Sequence, residues 1–358
     1  MEKIEKAKLS DFDYSILQIE TQGVCNMKCE FCPYVLRKNK SAKLSDEEVY
    51  KLIDSIEPEE KMEYMCFSHF NEPLMDKRIF DFIAHAKKSG HRTLLITNSL
   101  LFKSQEIIDK LIKAEPTYIK ISLQTINENT YKARGANHLF DDYRKNVYKF
   151  IKAALDGNCK SEITMDVACN FLTGKKRLLK KMAGLEYGDP SMPISIDDIK
   201  PDIIEFIRKL SDFEPRIKFD AQEITKILSN ASPDYLDQTG IMIVDNISIK
   251  IKKFFFGRRL SKFHPVKNSI PCQTRILGIL ADGNVVPCCL DYDGALALGN
   301  IKNESICSIL DRNRKFLSAI KTGSGSLPET CRRCQGAPTK IGTHVLEIAR
   351  HVRKLRKK

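Results

Sequence analysis

Short apolar stretches alternate with amphipathic stretches through the first half of the 358-residue chain, and this alternation restricts the fold more than any other feature. The apolar stretches have the length and composition of β-strands and span residues 15–20, 63–68, 92–97, 117–122 and 162–170. Helical periodicity occurs between them, at residues 45–56, 77–89, 104–113 and 143–156. Repetition of strand, helix and strand predicts a parallel sheet, open or closed into a barrel, with functional residues at the carboxyl ends of its strands.

The second half of the chain predicts further helices and two hairpins. Helices are predicted at residues 198–210 and 304–320. One hairpin spans residues 240–251, with Asp245–Asn246 as its turn, and another spans residues 275–289 around Asp282–Gly283. The length of the chain is enough for one large α/β domain and a smaller accessory domain.

Cysteine is abundant in this chain, which has 12 cysteines. Residues 1–13 are charged and lack the apolar core of a signal peptide, and no run of about 18 apolar residues predicts a membrane span. We therefore expect a cytoplasmic protein, in which thiols stay reduced and disulfides are rare. Cysteines in such a protein indicate metal or redox chemistry.

Three of the cysteines directly follow the first predicted strand, with the spacing Cys25-x3-Cys29-x2-Cys32. Structural zinc sites close all four ligand positions, usually by pairing one CxxC with a second pair or with histidines, and this loop lacks such a set. Three clustered thiolates instead suit three corners of a 4Fe–4S cube. The fourth iron is then open to a chelating small molecule.

This loop has an aromatic residue, Phe31, before its last cysteine, and it resembles the signature of the radical S-adenosylmethionine (radical SAM) superfamily. The resemblance implies an α/β fold, a partial (β/α)6 barrel similar to a TIM barrel. It also implies that S-adenosylmethionine binds the open iron through its amino and carboxylate groups. One electron from the cluster then cleaves the sulfonium, and the 5′-deoxyadenosyl radical removes a hydrogen atom from a substrate C–H bond.

Four further positions resemble family elements near the ends of later strands, and we expect them to bind the cofactor: Glu72, Asn98, Ser122 and Arg134. The resemblance assigns Glu72 to the ammonium group and Arg134 to the carboxylate, both through charge-assisted hydrogen bonds. The sequence departs from the family pattern where glycines are usual, notably at Asn71 and Ser99. These departures concern the fine geometry of the cofactor site and not the identity of the cofactor.

A second set of cysteines lies near the end of the chain. Cys272 and Cys288 flank a predicted hairpin that contains Gly283, and a CxxC motif supplies Cys331 and Cys334. Four thiols can close a zinc site or a 4Fe–4S cluster, and the spacing alone leaves both open. The pattern resembles the SPASM and twitch domains that follow radical SAM barrels, and this resemblance implies an auxiliary 4Fe–4S cluster.

The chain has no cysteine after Cys334. The resemblance is therefore to the twitch type, which has a single auxiliary cluster. With the cluster of the first loop, two 4Fe–4S clusters are expected in all. Cys289 is an alternative ligand, but we favour Cys288 because it satisfies the Gly-x4-Cys spacing. The cysteines outside the ligand sets are Cys66, Cys159, Cys169, Cys289 and Cys307. Free cysteine usually packs as a small hydrophobe, yet Cys66 and Cys169 lie on predicted barrel strands and are candidate hydrogen-atom donors.

These features divide the chain into four segments. We expect a radical SAM partial barrel over residues 1–235, a basic connecting segment over 236–265, a twitch- or SPASM-like domain with a hairpin and a helix over 266–340, and a basic amphipathic tail over 341–358.

A fully ligated auxiliary cluster has no open iron for a substrate, so its expected role is one-electron transfer. One-cluster relatives include a dehydrogenase of aminoglycoside biosynthesis, and this resemblance suggests oxidation of a hydroxyl-bearing, sugar-like substrate to a ketone. We therefore expect an oxidoreductase with a small-molecule substrate and an external one-electron donor such as flavodoxin or ferredoxin. The sequence does not name the general base.

Three other functions stay open. The chain could be a SPASM maturase that modifies peptides or proteins, although its barrel is expected to begin at about residue 14, without the preceding peptide-recognition domain that many maturases carry. It could be a radical epimerase that uses a cysteine as hydrogen donor. A non-enzymatic iron–sulfur carrier or scaffold is the third alternative, but a carrier needs no methionine site.

The net charge of +13 comes from two segments. Residues 249–264 and 349–358 each contain six Lys or Arg residues and no acidic residue. A solvated surface and a disordered tail would explain this distribution. The more specific interpretation is an anionic partner, either a phosphate-bearing substrate or a membrane surface, and we do not expect nucleic acid. The apolar stripe of a basic amphipathic helix would then consist of Val345, Ile348, Val352 and Leu355.

Overall fold

A sheet of ten strands organises the part of the chain that the computed structural model describes, residues 5–135, 139–171, 178–179, 182–183, 195–244, 246–253 and 262–355. In chain order the strands are β1 Ile16–Ile19, β2 Tyr64–Cys66, β3 Thr93–Thr97, β4 Tyr118–Gln124, β5 Glu162–Cys169, β6 Ile241–Val244, β7 Ile247–Lys253, β8 Ile276–Ile279, β9 Asn284–Val286 and β10 Gly299–Asn300.

Seven of these strands run parallel. The sheet order is β10-β9-β8-β1-β2-β3-β4-β5-β7-β6, in which β8, β1 to β5 and β7 are parallel neighbours. The antiparallel strands β6, β9 and β10 lie at the two ends. Among the described strands β6 and β10 each have one neighbour, so the sheet is a partial barrel, as predicted. Strand β8, from the accessory region, extends this barrel beside β1.

Helices connect the strands and cover one side of the sheet. They are α1 Asp46–Asp54, α2 Ile79–Lys88, α3 Gln105–Ala114, α4 Glu128–Tyr131, α5 Phe140–Asp156, α6 Ile196–Phe213, α7 Ala221–Asn230, α8 Pro233–Gln238, α9 Ile306–Arg312, α10 Arg314–Thr322, α11 Glu329–Cys334 and α12 Lys340–Leu355. Three short 3₁₀ helices lie close to the candidate site, at Pro33–Leu36, Pro73–Met75 and Lys132–Arg134. None of the described helices is long and apolar enough to cross a membrane.

The barrel strands have one apolar face and one more polar face. Leu17, Ile119 and Ile121 are fully buried in the main core, together with apolar residues of the surrounding helices. The alternate positions of β4, which include Lys120 and Ser122, face the other side of the sheet and are partly exposed. Parallel strands that are covered on both faces are usually apolar throughout, so the polar face marks the functional side of the sheet.

The five strands and four helices predicted in the first half of the chain are confirmed. Both predicted hairpins are present as well, as β6–β7 and β8–β9. In the second hairpin Gly283 has a φ of 93°, and an added Cβ would lie 2.5 Å from Oδ1 of Asn300, so glycine is required there. Asp245 of the other predicted turn and residues 254–261 of the basic connecting segment lie outside the described residues. The predicted domain boundaries stay predictions.

The prediction of one continuous helix over residues 304–320 is wrong. The helix is divided into α9 and α10 at Asn313, whose Nδ2 donates to the carbonyl oxygens of Leu298 at 2.9 Å and Ile309 at 2.8 Å. This asparagine ties the junction to the residue before β10, and the chain changes direction there because the side chain competes with the backbone for its hydrogen bonds.

Candidate functional site

The three-cysteine loop leads from β1 to the 3₁₀ helix Pro33–Leu36. Cys25, Cys29 and Cys32 are half-buried and none of them forms a disulfide. The N–H of Cys25 donates to the Tyr34 hydroxyl at 3.0 Å, and the N–H of Cys32 donates to the carbonyl of Cys29 at 3.1 Å. Burial raises the pKa of the Cys25 and Cys32 thiols to about 12. A positively charged metal centre is therefore needed to keep these groups as thiolates at neutral pH.

Glu72 lies just after β2 with its carboxylate buried. Oε1 accepts hydrogen bonds from the N–H of Leu74 at 3.2 Å and the Thr97 hydroxyl at 2.7 Å, and Oε2 accepts from the N–H of Asn98 at 2.7 Å. Burial raises the pKa of Glu72 to about 7, although these hydrogen bonds oppose the rise. A carboxylate offers about four lone-pair positions, so Oε2 has capacity for one more donor.

Asn98 connects Glu72 with the cysteine loop. Its Nδ2 donates to Oδ1 of Asn26 at 2.6 Å and lies 3.8 Å from the Sγ of Cys25. The next residue, Ser99, has a φ of 66°, in the left-handed region that favours glycine. This backbone conformation explains why glycine is usual at that position and shows that the turn persists with serine in its place.

Arg134 is nearly fully buried beside the same loop. Its Nη1 donates to the carbonyl of Ser122, to the carbonyl of Leu123 at 2.6 Å and to the Tyr143 hydroxyl at 3.2 Å. The Nε of Arg134 is buried and has no hydrogen-bond partner among the described residues. Burial raises the pKa of the Cys29 thiol, and the guanidinium of Arg134 opposes that rise. Arg134 therefore supplies positive charge at the cysteine loop and retains one donor.

All seven residues predicted for the first site thus lie together at the carboxyl ends of β1 to β4. Asn98 approaches Cys25 and bonds to Glu72 through its backbone, while Arg134 lies beside Cys29 and bonds to the Ser122 carbonyl. Three half-buried thiols, one buried carboxylate and one buried guanidinium form a donor set that fits an iron–sulfur cluster and an amino acid moiety.

Sequence reasoning missed a row of polar residues that continues from this site into the barrel. Thr97 pairs with Ile121, Ile121 with Met165, and Asp166 with Lys250. Asn98, Ser122 and Asp166 directly follow Thr97, Ile121 and Met165, so with Lys250 they face the same side of the sheet. The register between β4 and β5 shifts just after Ile121, so Ser122 and Asp166 are not directly paired. The signal was present in the sequence, because charged residues alternate with apolar ones along β4, β5 and β7.

Asp166 is the acidic residue of this row, and it is buried, with an exposed fraction of 5 %. Its Oδ2 lies 3.8 Å from Nζ of Lys120, and its Oδ1 is buried without a hydrogen-bond partner among the described residues. Burial raises the pKa of Asp166, against the effect of Lys120, Lys252 and Lys250. Lys250 donates to the Tyr118 hydroxyl at 2.8 Å, whereas Lys120 forms an ion pair with Asp166.

The two candidate hydrogen-atom donors occupy different environments. Cys66 is fully buried on the polar side of the sheet, in a small cluster with Leu94 and Tyr118, and its thiol lies 3.6 Å from the Ser68 carbonyl. Cys66 pairs with Leu94 on β3. Leu94 precedes Asn98 by four residues, so the two lie about 13 Å apart along the strand. Cys169 belongs to the main core on the opposite face. Their role as donors stays a prediction.

The cysteines of the second set line one cavity of about 430 Å³. These are Cys272, Cys288, Cys289, Cys331 and Cys334. Burial raises the pKa of the Cys331 thiol to about 11 and of the Cys334 thiol to about 12. In the described ranges no three His, Cys, Asp or Glu side chains converge closely enough to hold one metal ion. Four of these five thiols are enough to ligate the four irons of a 4Fe–4S cluster, each iron by one thiolate. Both Cys288 and Cys289 line the cavity, so either thiol can serve as a ligand.

A buried ion pair connects the two cysteine sites. Arg37, five residues after Cys32, donates through Nη1 to Oε1 of Glu20 at 2.6 Å, and both side chains are almost completely buried. The carboxylate of Glu20 also accepts from the N–H of Phe70 at 3.2 Å and of Ala281 at 3.1 Å. One carboxylate thus joins the first cysteine loop, the loop after β2 and the turn of the β8–β9 hairpin, so the two sites are fixed relative to one another.

Comparisons with known proteins agree with this geometry. Residues 19–167 match the family model described as Radical SAM superfamily, and residues 272–335 match SPASM, described as an iron–sulfur cluster-binding domain. The Fe-coproporphyrin III synthase of Methanosarcina barkeri (strain Fusaro / DSM 804) is 33% identical over 158 residues, which cover 43% of this chain. That region covers 36% of the synthase, so the chain spans about a third of the length of this relative.

Two of the similar solved structures cover nearly the whole chain. BtrN in complex with AdoMet and 2-DOIA has a TM-score of 0.48 and 14% identity, over 91% of this chain and 96% of that one. The histidine-tagged anSMEcpe with bound AdoMet has a TM-score of 0.47 and 15% identity, over 96% of this chain and 98% of that one. From the two family matches and the cysteine sites on which they fall, the chain belongs to the radical SAM superfamily and carries a SPASM-type iron–sulfur domain.

Proposed function

We propose that this enzyme oxidises a hydroxyl-bearing carbon of a small, carbohydrate-like substrate to a ketone. Cys25, Cys29 and Cys32 hold the cluster that binds S-adenosylmethionine. A single auxiliary cluster is held by Cys331, Cys334 and two further cysteines, Cys272 and Cys288, with Cys289 as the alternative to Cys288. When bound, the first cluster and its cofactor supply the 5′-deoxyadenosyl radical, and the auxiliary cluster accepts one electron.

In this proposal the chain orients the cofactor from two sides. Glu72 accepts a hydrogen bond from the methionine ammonium, because its carboxylate is held rigidly by Thr97 and Asn98 and has one lone-pair position left. Arg134 pairs with the methionine carboxylate through the donor that it has not used within the protein. Asn98 and Ser122 follow the paired residues Thr97 and Ile121 on adjacent strands, and in this proposal they bond to the rest of the cofactor.

The observation that carries the proposed reaction is the environment of Asp166. Oxidation of an alcohol needs a group that takes the hydroxyl proton, and Asp166 offers a buried carboxylate oxygen without a partner in the described part of the chain. Burial raises the pKa of Asp166, which makes its carboxylate a stronger base, and the ammonium group of Lys120, 3.8 Å from the other oxygen, opposes that rise. Asp166 lies in the same row as Asn98 and Ser122, so it faces the interior next to the cofactor residues.

Atoms and electrons balance in the proposed step. The substrate C–H hydrogen leaves as an atom and forms a new C–H bond in 5′-deoxyadenosine. The hydroxyl proton would move to the Asp166 carboxylate as the C=O bond forms, and the one electron left over would be taken up by the auxiliary cluster that Cys331, Cys334 and their two partner cysteines would hold. An external one-electron carrier, such as flavodoxin or ferredoxin, starts each cycle by reducing the first cluster.

The environments of the two candidate donor cysteines support oxidation over epimerisation. An epimerase has to return a hydrogen atom to the substrate radical from a thiol close to it. Cys66 pairs with a residue that lies four positions before Asn98 on β3, and Cys169 is on the helix-covered face. Asp166, in contrast, is in the row itself and is suited to proton transfer.

The experiment is a substrate screen with the anaerobically reconstituted enzyme, S-adenosylmethionine and a chemical reductant. Amino cyclitols, hexoses and hexosamines, each with and without phosphate, are incubated and analysed by mass spectrometry. We expect a product two hydrogens lighter than its substrate, formed together with 5′-deoxyadenosine. Asp166→Asn should still cleave S-adenosylmethionine but lose at least about a hundredfold in ketone formation, the lower range for loss of a general base.

Asp141→Asn is a matched control, because Asp141 lies on α5 and its side chain is 62 % exposed. This variant should oxidise the substrate at the wild-type rate. Products of unchanged mass that gain one deuterium from solvent would replace the proposal with epimerisation. Equal ketone formation by Asp166→Asn and the wild type would remove Asp166 from the mechanism.

A further inference from the structure

Helix α12 is attached to the accessory domain through one of its faces. The Thr343 hydroxyl donates to the carbonyl of His264 at 3.0 Å, and the carboxylate of Glu347 accepts from the N–H of Lys267 at 2.7 Å. Arg350 donates through Nη2 to the carbonyl of Gln335 at 2.7 Å. Positions 343, 347 and 350 are spaced four and three residues apart, so they form a single face of the helix. The tail predicted at the end of the chain is therefore docked as a helix over its described length.

The opposite face of α12 carries large apolar side chains that are not covered. Ile341 is 70 % exposed and Ile348 is 52 % exposed. At about 100° per residue these positions lie roughly opposite the attached face, with the half-buried Val345 between them. Val352 and Leu355 continue the same spacing in the sequence, and their side chains lie outside the described residues. The apolar stripe predicted from the sequence thus begins at Ile341 and faces away from the domain.

Positive charge accompanies this stripe. Residues 349–358 contain six Lys or Arg residues and no acidic residue. Arg350 belongs to the attached face, and the other five follow it in the sequence. Lys340 precedes Ile341 at the exposed beginning of the helix. A helix with an outward apolar stripe and basic flanks has the composition of helices that lie in the interface of a bilayer, with the apolar side chains among the acyl chains and the cations at anionic headgroups.

We propose that the outer face of α12 binds the surface of an anionic lipid bilayer and holds the enzyme there peripherally. The charge complementarity selects anionic lipid, because each cation near such a surface adds to binding. The apolar stripe favours a bilayer over a soluble anion as the partner. A soluble anion would not bury Ile341 and Ile348, which are exposed on the same face of the helix. The attachment through Thr343 and Glu347 fixes the orientation of the enzyme on the surface.

The test is sedimentation of the reconstituted full chain with vesicles of phosphatidylcholine alone or mixed with phosphatidylserine, at low and high salt. The wild type should bind the phosphatidylserine vesicles and bind less at high salt. The double variant Ile341→Glu and Ile348→Glu should lower the partition coefficient about tenfold or more, since two exposed isoleucines no longer enter the bilayer. Met242→Glu on β6 is the control, because Met242 is similarly exposed, at 53 %, but lies outside α12; it should bind like the wild type.

Circular dichroism and iron content of the variants check that the fold and the clusters are intact, as expected for substitutions at exposed positions. Two results overturn the proposal. One is the absence of binding to phosphatidylserine vesicles at low salt. The other is binding that the double variant retains in full. Binding of an acidic soluble carrier such as flavodoxin that requires Ile341 and Ile348, without vesicle binding, would assign the face to protein docking instead.

Discussion

At the carboxyl end of β1 three cysteines share one short loop, from Cys25 to Cys32, whereas the cavity near β8 is lined by cysteines from three separate segments between Cys272 and Cys334. The first site is surrounded by polar side chains that retain hydrogen-bonding capacity, such as Glu72. In the second site the acid Asp291 already accepts from the N–H groups of Ala295 and Leu296.

Under the proposed function, this difference separates a site that binds a ligand from a site that only exchanges electrons. Three thiolates leave one corner of a cluster open, and the polar groups around that corner suit an amino acid. Four thiolates close a cluster, and a closed cluster can act on a substrate only by taking or giving an electron. The buried pair of Glu20 and Arg37 holds the two sites in one rigid frame, which suits electron transfer between them.

The largest expected effect comes from removing the ligands of one site at a time. Replacement of Cys25, Cys29 and Cys32 by Ala should abolish cleavage of S-adenosylmethionine, because no iron can then bind the cofactor. Replacement of Cys331 and Cys334 by Ala should keep cleavage but stop substrate oxidation, because the electron acceptor is lost. Chromatography of 5′-deoxyadenosine measures the first activity. Loss of cleavage in both variants would mean that the two sites do not differ in function.

A second prediction resolves the ligands of the cavity. Cys288→Ala should lose the auxiliary cluster, and Cys289→Ala should keep it, because the Gly-x4-Cys spacing from Gly283 ends at Cys288. Iron analysis of the two variants in the background of the Cys25, Cys29 and Cys32 replacement counts the auxiliary cluster alone. Iron retained by Cys288→Ala and lost by Cys289→Ala would reverse the assignment.

A third prediction concerns Glu72. Glu72→Gln keeps the shape of the side chain and should weaken binding of S-adenosylmethionine about ten- to a hundredfold, since a charge-assisted hydrogen bond contributes about 1.5–3 kcal/mol. Both clusters should stay intact. Calorimetric titration with the cofactor measures the affinity, and Glu106→Gln, at an exposed position on α3, serves as the matched control. Equal affinity of Glu72→Gln and the wild type would assign the methionine ammonium to another group.

The smallest expected effect concerns the electron affinity of the closed site. Lys321 is mostly buried behind the cavity wall, where its ammonium donates to the carbonyl oxygens of Thr274 and Asp13 and lies 4.2 Å from the centre of the Tyr14 ring. A unit charge at roughly 10 Å and an effective dielectric constant of about 20 contributes about 2 kcal/mol, so a cation there should favour the reduced cluster.

Lys321→Gln should therefore lower the reduction potential of the auxiliary cluster by several tens of millivolts, since about 59 mV corresponds to a tenfold change for a one-electron couple. Lys315→Gln removes the same charge from an exposed position of α10 and should have little effect. A redox titration followed by electron paramagnetic resonance measures both variants. Identical potentials in Lys321→Gln and Lys315→Gln would exclude a specific effect of the buried cation.

The first site could be predicted from the sequence because its ligands are close together and follow a strand. Glu72, Asn98 and Arg134 could be predicted because they resemble elements of the radical SAM family, and the parallel strands then explain why Glu72 and Asn98 meet at one edge of the sheet. The local backbone conformation could not be predicted as well. Ser99 and Gln124 adopt positive φ although neither residue is a glycine. There the surrounding contacts, not the residue type, determine the conformation.

Other features depend on tertiary contacts that no local pattern contains. The position of Asp166 beside Lys120 follows from strand register, and register appears only when strands are paired. Helices α7 and α8 were missed although Asp220 and Ser232 are strong N-cap residues whose side chains accept backbone hydrogen bonds. The spacing from Gly283 favours Cys288 in the sequence, whereas in the structure Cys288 and Cys289 both line the cavity.

The central claim is that the molecule has two iron–sulfur sites of which only one binds the cofactor. Iron analysis together with electron paramagnetic resonance of the reduced, reconstituted enzyme, recorded with and without S-adenosylmethionine, tests it most directly. We predict about eight irons per chain, the content of two 4Fe–4S clusters, and two overlapping signals. Only the signal that disappears on replacement of Cys25, Cys29 and Cys32 should change when the cofactor is added. About four irons with one zinc per chain, or a cofactor-dependent change in the signal that survives that replacement, would contradict the account.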